Sequence, residues 1–345
     1  MSERYPRLEI NTNYQKENVE AVIKRCEKCN VTITGIIKGV NGIPEITKAY
    51  IDGGIKSIGT SRLEQIENLA GNKQGISIML IRTPMLSEIE DVISLTDVSL
   101  NTELEVIIAL NEEAKRQGKI HKIILMADIG DLREGFWDKE ELLDAAQLIE
   151  EKFDNLYLEG VGTNVGCYGA LEPTVETLEK LSSIAEKVEY RIGRKLNIVS
   201  GGASSSLMRI WDHDMPEKIN HLRIGGEVML VHTNRVVYGY DMSDLHYDVF
   251  RLKAEIVRVK TITDKYGNKR KEAVLDLGLL DYCNADALYS VEKGIKIRET
   301  FDDYTVVDIE DDSKDYEIGD ILTFALSYGA LVYLTKSRSV KLAFV

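Results

Sequence analysis

The sequence is short of cysteine, proline and basic side chains. Of its 345 residues, 43 are Lys or Arg and 57 are Asp or Glu, a net charge of −14. A general nucleic-acid binder needs a basic footprint to displace counterions, so the charge argues against that class. Only five residues are proline and 44% are apolar, which allows a large packed core and argues against wholesale disorder. No apolar run approaches the ~20 residues that cross a bilayer, so no membrane role is expected. The opening Met1-Ser2-Glu3-Arg4-Tyr5-Pro6 lacks an apolar stretch of signal-peptide type, and the expected location is the cytoplasm.

Four cysteines include one C-x-x-C, Cys26 and Cys29, within a charged helical stretch from Val19 to Lys28. Zinc would want a second pair or nearby histidines, and thioredoxin-type chemistry would want the pair just after a strand. The pair therefore reads as two helix residues in a reducing compartment. His121, His213, His221, His232 and His246 show no H-x-x-x-H or H-E-x-x-H spacing. His213, between Asp212 and Asp214, reads as part of a polar loop, and no metal is expected.

What is present is a repeated alternation. Eight short apolar runs read as strands buried on both faces: Thr32 to Ile37, Ile55 to Gly59, Gly75 to Ile81, Asp97 to Leu100, Lys122 to Ala127, Leu156 to Gly162, Leu196 to Val199 and His221 to Ile224. Amphipathic stretches at Glu64 to Leu69, Thr102 to Arg116, Glu140 to Glu151 and Thr174 to Val188 read as intervening helices. This pattern predicts an α/β fold, an N-terminal (β/α)8 TIM barrel. An open doubly wound sheet is disfavoured, because no G-x-G-x-x-G follows the first strand. After Tyr240 the texture changes to alternating and short apolar segments. Phe250 to Lys260, Glu272 to Leu277, Gly294 to Ile297, Tyr304 to Ile309, Ile321 to Leu326 and Leu331 to Leu334 all read as strands. The expected domains are a barrel over 11–235 and a C-terminal all-β domain over 236–345, with residues 1–10 a candidate to pack on the latter.

A barrel of this kind works at the C-terminal ends of its strands. The residues there are Lys38, Arg62, Arg82, Asn101, Asp128, Arg133, Thr163, Asn164, the run Ser200 to Ser206, Arg223, Gly225 and Gly226. Cations, hydroxyls and glycines on one rim make an anion site, and the Ser/Gly run beside Gly225-Gly226 suits a phosphate. Lys38 ends an apolar strand, so partial desolvation is expected to lower its pKa and make its amine nucleophilic toward an aldehyde. An arbitrary lysine more often snorkels to solvent or pairs with an acid. A lysine with a phosphate cradle suggests pyridoxal phosphate held as a Schiff base, although barrel phosphate sites also serve sugar phosphates.

Thr34-Gly35-Ile36-Ile37-Lys38 resembles the first barrel strand of alanine-racemase-type (fold type III) pyridoxal-phosphate enzymes. Asp131-Leu132-Arg133-Glu134-Gly135, Gly162-Thr163-Asn164 with Cys167-Tyr168-Gly169, Ser200 to Ser206, Asn220 to Gly225, and Phe324 to Leu331 are similar to the ornithine racemase branch, nearly end to end. The resemblance implies that Lys38 binds the cofactor and acts as one of two acid/bases. It implies that Arg133 meets the phenolic oxygen, that Asn164 lines the cofactor, and that Ser204, Gly225, Gly226 and Tyr328 hold the phosphate. Arg223 would face the pyridine nitrogen and, keeping its proton, leave that nitrogen unprotonated. It further implies a homodimer in which the partner's β domain completes each site.

Three departures stand out. The tyrosine of the alanine racemase G-Y-A-D-G motif is replaced in Gly278-Leu279-Leu280-Asp281-Tyr282. The Ser-Ser-Asp-His segment of ornithine racemases reads Phe301-Asp302-Asp303-Tyr304, and Ala203 stands where that branch has asparagine. The second acid/base is therefore sought among Asp303, Tyr304, Asp302 and Tyr282, in falling order. Asp302 and Asp303 suit a distal ammonium, or else belong to a solvated acidic face. The expected activity is racemisation of ornithine, lysine or a related basic amino acid, with pyridoxal 5'-phosphate as cofactor. A decarboxylase of the same fold type is the alternative, disfavoured by Arg223. A cofactor-binding protein without activity is a further one, disfavoured by the second domain.

Overall fold

A computed structural model of the chain describes residues 4–69, 75–166, 171–231, 235, 238–263, 266–267, 269–309 and 314–345. Cys167, Tyr168, Gly169 and His232 lie outside the described residues. Contacts divide the chain into two units: Lys16–Lys38 with Gly42–Leu245, and Met1–Gln15 with Gly39–Asn41 and His246–Val345.

Within the strand-rich unit, β1 (Arg7–Ile10) opens the chain. The barrel follows, with β2 (Thr32–Ile36), β3 (Ser57–Thr60), β4 (Ser77–Leu80), β5 (Val98–Asn101), β6 (His121–Met126), β7 (Leu156–Gly162), β8 (Ile198–Ser200) and β9 (His221–Ile224). These eight close in sequence order, all parallel, with β9 pairing back onto β2. Each predicted apolar run became a strand because its side chains are covered on both faces; all four residues of β5 and of β9 are buried.

The helices cover the outside. Leu104–Gln117 turns Val106, Ile107, Leu110 and Ala114 inward and stops at Gly118, while Lys115 and Arg116 in its last turn complement the helix dipole. Val175–Ile192 is capped by the Thr174 hydroxyl, which accepts from the Thr177 N–H, and Lys139–Lys152 by the Asp138 carboxylate. The helix Thr12–Glu27 ends before Cys29, which corrects the reading of the C-x-x-C as two helix residues. The chain tightens there, Cys29 N–H donating to the Cys26 carbonyl at 3.0 Å, and Asn30 leaves at a left-handed φ of 57°.

Strand register sorts the barrel interior into two halves. Thr34 pairs with Arg223, Ser57 with Ser77, Gly59 with Met79, Met79 with Val98, Leu100 with Ile124, Met126 with Gly162, Gly162 with Ser200 and Ser200 with His221, so all share the inner face. Met79, Val98, Leu100, Ile124 and Met126 form an apolar cluster, with Ile81 and Ile198 packed on it. Across β8, β9, β2 and β3 the inner face is polar instead: Ser200, His221, Arg223, Thr34 and Ser57.

In the other unit, β10 (Phe250–Thr263) pairs with β1, with β11 (Lys269–Leu275) and with β15 (Ile321–Leu326), all antiparallel. The sheet continues through β12 (Leu288–Ser290) beside β15, and through β14 (Thr305–Asp308) between β11 and β13 (Lys296–Thr300). β16 (Lys341–Phe344) lies parallel to β1. One predicted strand is a helix. Leu331 to Leu334 belongs to the helix Tyr328–Leu334, begun by the Ser327 hydroxyl accepting from the Ala330 N–H, with Ala330, Leu331 and Leu334 buried at helical spacing.

Candidate active site

β8, β9 and β2 are consecutive in the barrel, and Ser204, Arg223, Gly225, Gly226 and Lys38 lie on them or just beyond their C-terminal ends. Lys38 leaves β2 through Ile37 and opens a 3-10 turn, Lys38–Val40. Its carbonyl accepts from the Gln65 amide at 3.2 Å, and Gln65 is itself held by the Thr60 hydroxyl. The Lys38 side chain is exposed rather than desolvated by its strand, because the turn begins past the strand's buried end.

Arg223, 4% exposed, is the most connected group of the polar half. Its guanidinium donates to Ser200 Oγ at 2.5 Å, to the Thr163 carbonyl at 2.7 Å and to Asn164 Oδ1 at 2.9 Å. Asn164 Nδ2 donates in turn to Glu134 Oε1 at 2.9 Å, and Arg133 Nη2 stands 3.1 Å from the same oxygen. The loop carrying Arg133 and Glu134 is folded by Asp128, whose Oδ1 accepts from the N–H groups of Gly130 and Leu132. Asn164 thus ties Arg223 to Glu134, and Glu134 in turn meets Arg133, a bridging role that sequence reasoning missed. Arg82, counted among the rim cations, is instead committed to Glu88 and to the carbonyls of Ser61 and Thr83.

Behind Arg223 lies a second missed residue. His221 Nδ1 is 2.9 Å from Ser200 Oγ and its Nε2 is 2.9 Å from Thr34 Oγ1. Complete burial, with Arg223 beside it, pushes its pKa down to about 3, so it is neutral. A signal existed: His221 stands two positions before Arg223 on a strand, hence on the same face.

The phosphate end can be tested on the backbone. Ser204 Oγ accepts from the N–H groups of Gly225 at 3.3 Å and Glu227 at 3.4 Å. Gly225 tolerates no side chain, since a Cβ would stand 2.9 Å from the Ile36 carbonyl oxygen. A hydroxyl gathered with backbone N–H donors at a strand end fits a phosphate. With an amine on the adjoining strand and a guanidinium between, the residues fit a phosphorylated aldehyde.

In the strand-rich unit, the two departed motifs sit side by side. Leu279 and Leu280 N–H groups donate to the carbonyls of Phe301 and Asp302, and a Cβ at Gly278 would fall 2.1 Å from the Asp302 carbonyl oxygen. Asp302, Asp303 and Tyr304 are exposed on this double loop. Tyr282 is fully buried with its hydroxyl 2.6 Å from that of Thr305, so it is removed from the acid/base candidates. Tyr328 opens its helix with its ring partly exposed and its hydroxyl end against Gly39, the residue after Lys38; desolvation of that end raises the phenol's pKa.

Other sequence features serve structure. Burial raises the Cys26 thiol to about 12, which suits an inert core residue. Asp212 and Asp214 both pair with Arg209 rather than joining His213 at a metal. Among the described residues, no group of three His, Cys, Asp or Glu side chains could hold a metal, and no helix is long and apolar enough to cross a membrane.

A closed parallel barrel with a lysine beyond its first strand, an arginine in its last and a separate, mostly-strand domain has the architecture of the alanine racemases. Residues 10–231 match the family model described as "Alanine racemase, N-terminal domain", and the chain belongs to that family. It is 34% identical to the ornithine racemase of Acetoanaerobium sticklandii, covering 95% of this chain and 96% of that protein. It is 32% identical to the lysine racemase of Thermotoga maritima, covering 98% of each. Among solved structures, the alanine racemase of D-cycloserine-producing Streptomyces lavendulae superposes with a TM-score of 0.80 at 18% identity, covering 99% of this chain and 98% of that one. At that identity the likeness is one of fold.

Proposed function

We propose that the chain is a pyridoxal 5'-phosphate-dependent amino-acid racemase acting on ornithine, lysine or a related basic amino acid, working in the cytoplasm as a homodimer. The observation that carries this reading is the order β8-β9-β2, which sets Ser204, the Gly225-Gly226 turn, Arg223 and Lys38 along one stretch of rim. The names of the two relatives support the basic substrate.

Pyridoxal phosphate, when bound, would draw electrons from Cα and make its proton acidic. Lys38 would anchor the cofactor by its amine and move a proton at Cα on one face. Ser204 with the N–H groups of Gly225 and Gly226 would hold the phosphate. Arg133 would meet the phenolic oxygen, and Asn164 would line the ring while keeping Arg223 in place. Arg223 would donate a hydrogen bond to the ring nitrogen and never yield its proton, which restrains charge spreading into the ring and favours reprotonation at Cα.

Racemisation needs a second acid/base on the opposite face. We assign it to the exposed loop of a second copy, Asp303 first and Tyr304 second. Exposed apolar side chains support the pairing. Leu280, Phe301 and Tyr304 stand out from the double loop, and large apolar side chains grouped in water favour burial against a partner.

The test is a mass-spectrometric screen for deuterium exchange at Cα over the free amino acids, run on cofactor-loaded protein. Exchange and L/D interconversion of ornithine or lysine are expected. Absence of exchange across the panel overturns the racemase reading, and carbon dioxide release replaces it with decarboxylation.

A further inference from the structure

The hydrogen bonds behind Arg223 admit one consistent set of donors. A guanidinium can only donate, so Ser200 Oγ accepts from Arg223 Nη1. The Ser200 hydroxyl, fully buried, is also 2.9 Å from His221 Nδ1, and its own proton has that nitrogen as acceptor. Nδ1 therefore carries no proton. Neutral imidazole then bears its proton on Nε2 and donates to Thr34 Oγ1 at 2.9 Å. Thr34, also fully buried, donates its hydroxyl hydrogen bond to Ser57 Oγ at 3.0 Å. The chain Arg223 → Ser200 → His221 → Thr34 → Ser57 runs one way, from the last strand through the polar half of the barrel to the start of β3. Reversing His221 would leave the buried Ser200 proton without an acceptor, a cost of roughly 1–3 kcal/mol.

We propose that His221 is a positioning residue for the arginine at the cofactor ring, locked as the neutral Nε2–H tautomer and acting on Arg223 through the Ser200 hydroxyl. The tautomer stands on geometry alone. The effect on turnover rests on the racemase reading above.

The experiment has two arms on the full-length chain. In the first, histidine is labelled with 15N and the His221 signals are assigned by their loss in His221→Asn. A pyrrole-like Nε2 and a pyridine-like Nδ1, unchanged between pH 5 and 8, are expected, and this readout needs neither cofactor nor turnover. A protonated Nδ1, or a signal that titrates in this range, overturns the proposal. The second arm compares His221→Asn, whose side-chain carbonyl can still accept from Ser200, with His221→Leu, which cannot. About tenfold lower kcat with little change in KM is expected for the leucine variant, with a shifted absorbance of bound cofactor, and rescue to within about twofold by asparagine. Equal behaviour of the two variants overturns the positioning role. Failure of the racemase reading shows instead as no turnover in the wild type, with the tautomer intact.

Discussion

Lys38 and Arg223, the two cations of the proposed site on β2 and β9, differ sharply in their surroundings. The lysine is exposed, whereas the arginine is buried and spends donors on three fixed acceptors. Replacing Lys38 by alanine should abolish the borohydride-sensitive visible band of bound cofactor and lower turnover by about 10²–10⁴-fold, with the far-ultraviolet circular dichroism unchanged. Retention of that band in Lys38→Ala would place the anchor elsewhere. A second residue-scale consequence concerns His121, 2% exposed and bound to Ser99. Burial, the largest cause, lowers its pKa from 6.5 to about 4. Between these values the unfolded chain binds more protons than the folded one, so stability rises with pH. The contribution is fully present above pH 6.5 and is lost as pH falls toward 4, on the order of 3 kcal/mol. Urea midpoints should fall across this window in the wild type and fall less in His121→Asn. The site was partly legible at this scale. Arg133, Asn164, Ser204 and Arg223 carry residue types whose chemistry announces itself. The two-residue spacing of His221 and Arg223 shows that they share a face, but Ser200 and Glu134 were not legible as partners, because their role depends on which neighbours the closed barrel brings to 3 Å.

Elements whose two faces are both covered are the ones a one-dimensional pattern reveals. The barrel runs are β-branched and uninterrupted because helices cover one side and the filled interior the other, so all eight were recognisable. The helix Tyr328–Leu334 has the same apolar density over a short run, and periodicity cannot separate strand from helix at that length. The deciding feature is the Ser327 cap on the Ala330 N–H, at 3.2 Å. Ser327→Ala should therefore lower stability by about 1 kcal/mol, read as a lower Tm, while Ser327→Asp retains most of it. An unchanged Tm in the alanine variant would show that packing of Leu331 and Leu334 alone sets the helix. β12, with three residues, and β16, with one exposed residue at each end, were missed for a related reason. They are short pieces recruited by a sheet already formed, and little in their own composition demands extension.

For the whole molecule, the acidic charge and the exposed apolar tips point in different directions. Net charge of −14 keeps copies apart in general, so association requires a specific apolar match. If the proposed dimer closes over this loop, Leu280→Asp, which places a further negative charge on it, should shift sedimentation from dimer toward monomer at micromolar concentration. The barrel's circular dichroism should persist, and racemisation should fall with the dimer fraction. Dimers that persist in Leu280→Asp would move the interface away from this loop.

The contact between Gly278 and the Asp302 backbone has a consequence for engineering the loop pair. With no room for even a methyl group there, the spacing of the two loop crests behaves as a rigid gauge set by main chain alone. Redesign of this double loop must then proceed by exchanging the outward tips at Leu280, Phe301 and Tyr304, since any attempt to prise the crests apart from within would strike the peptide unit first.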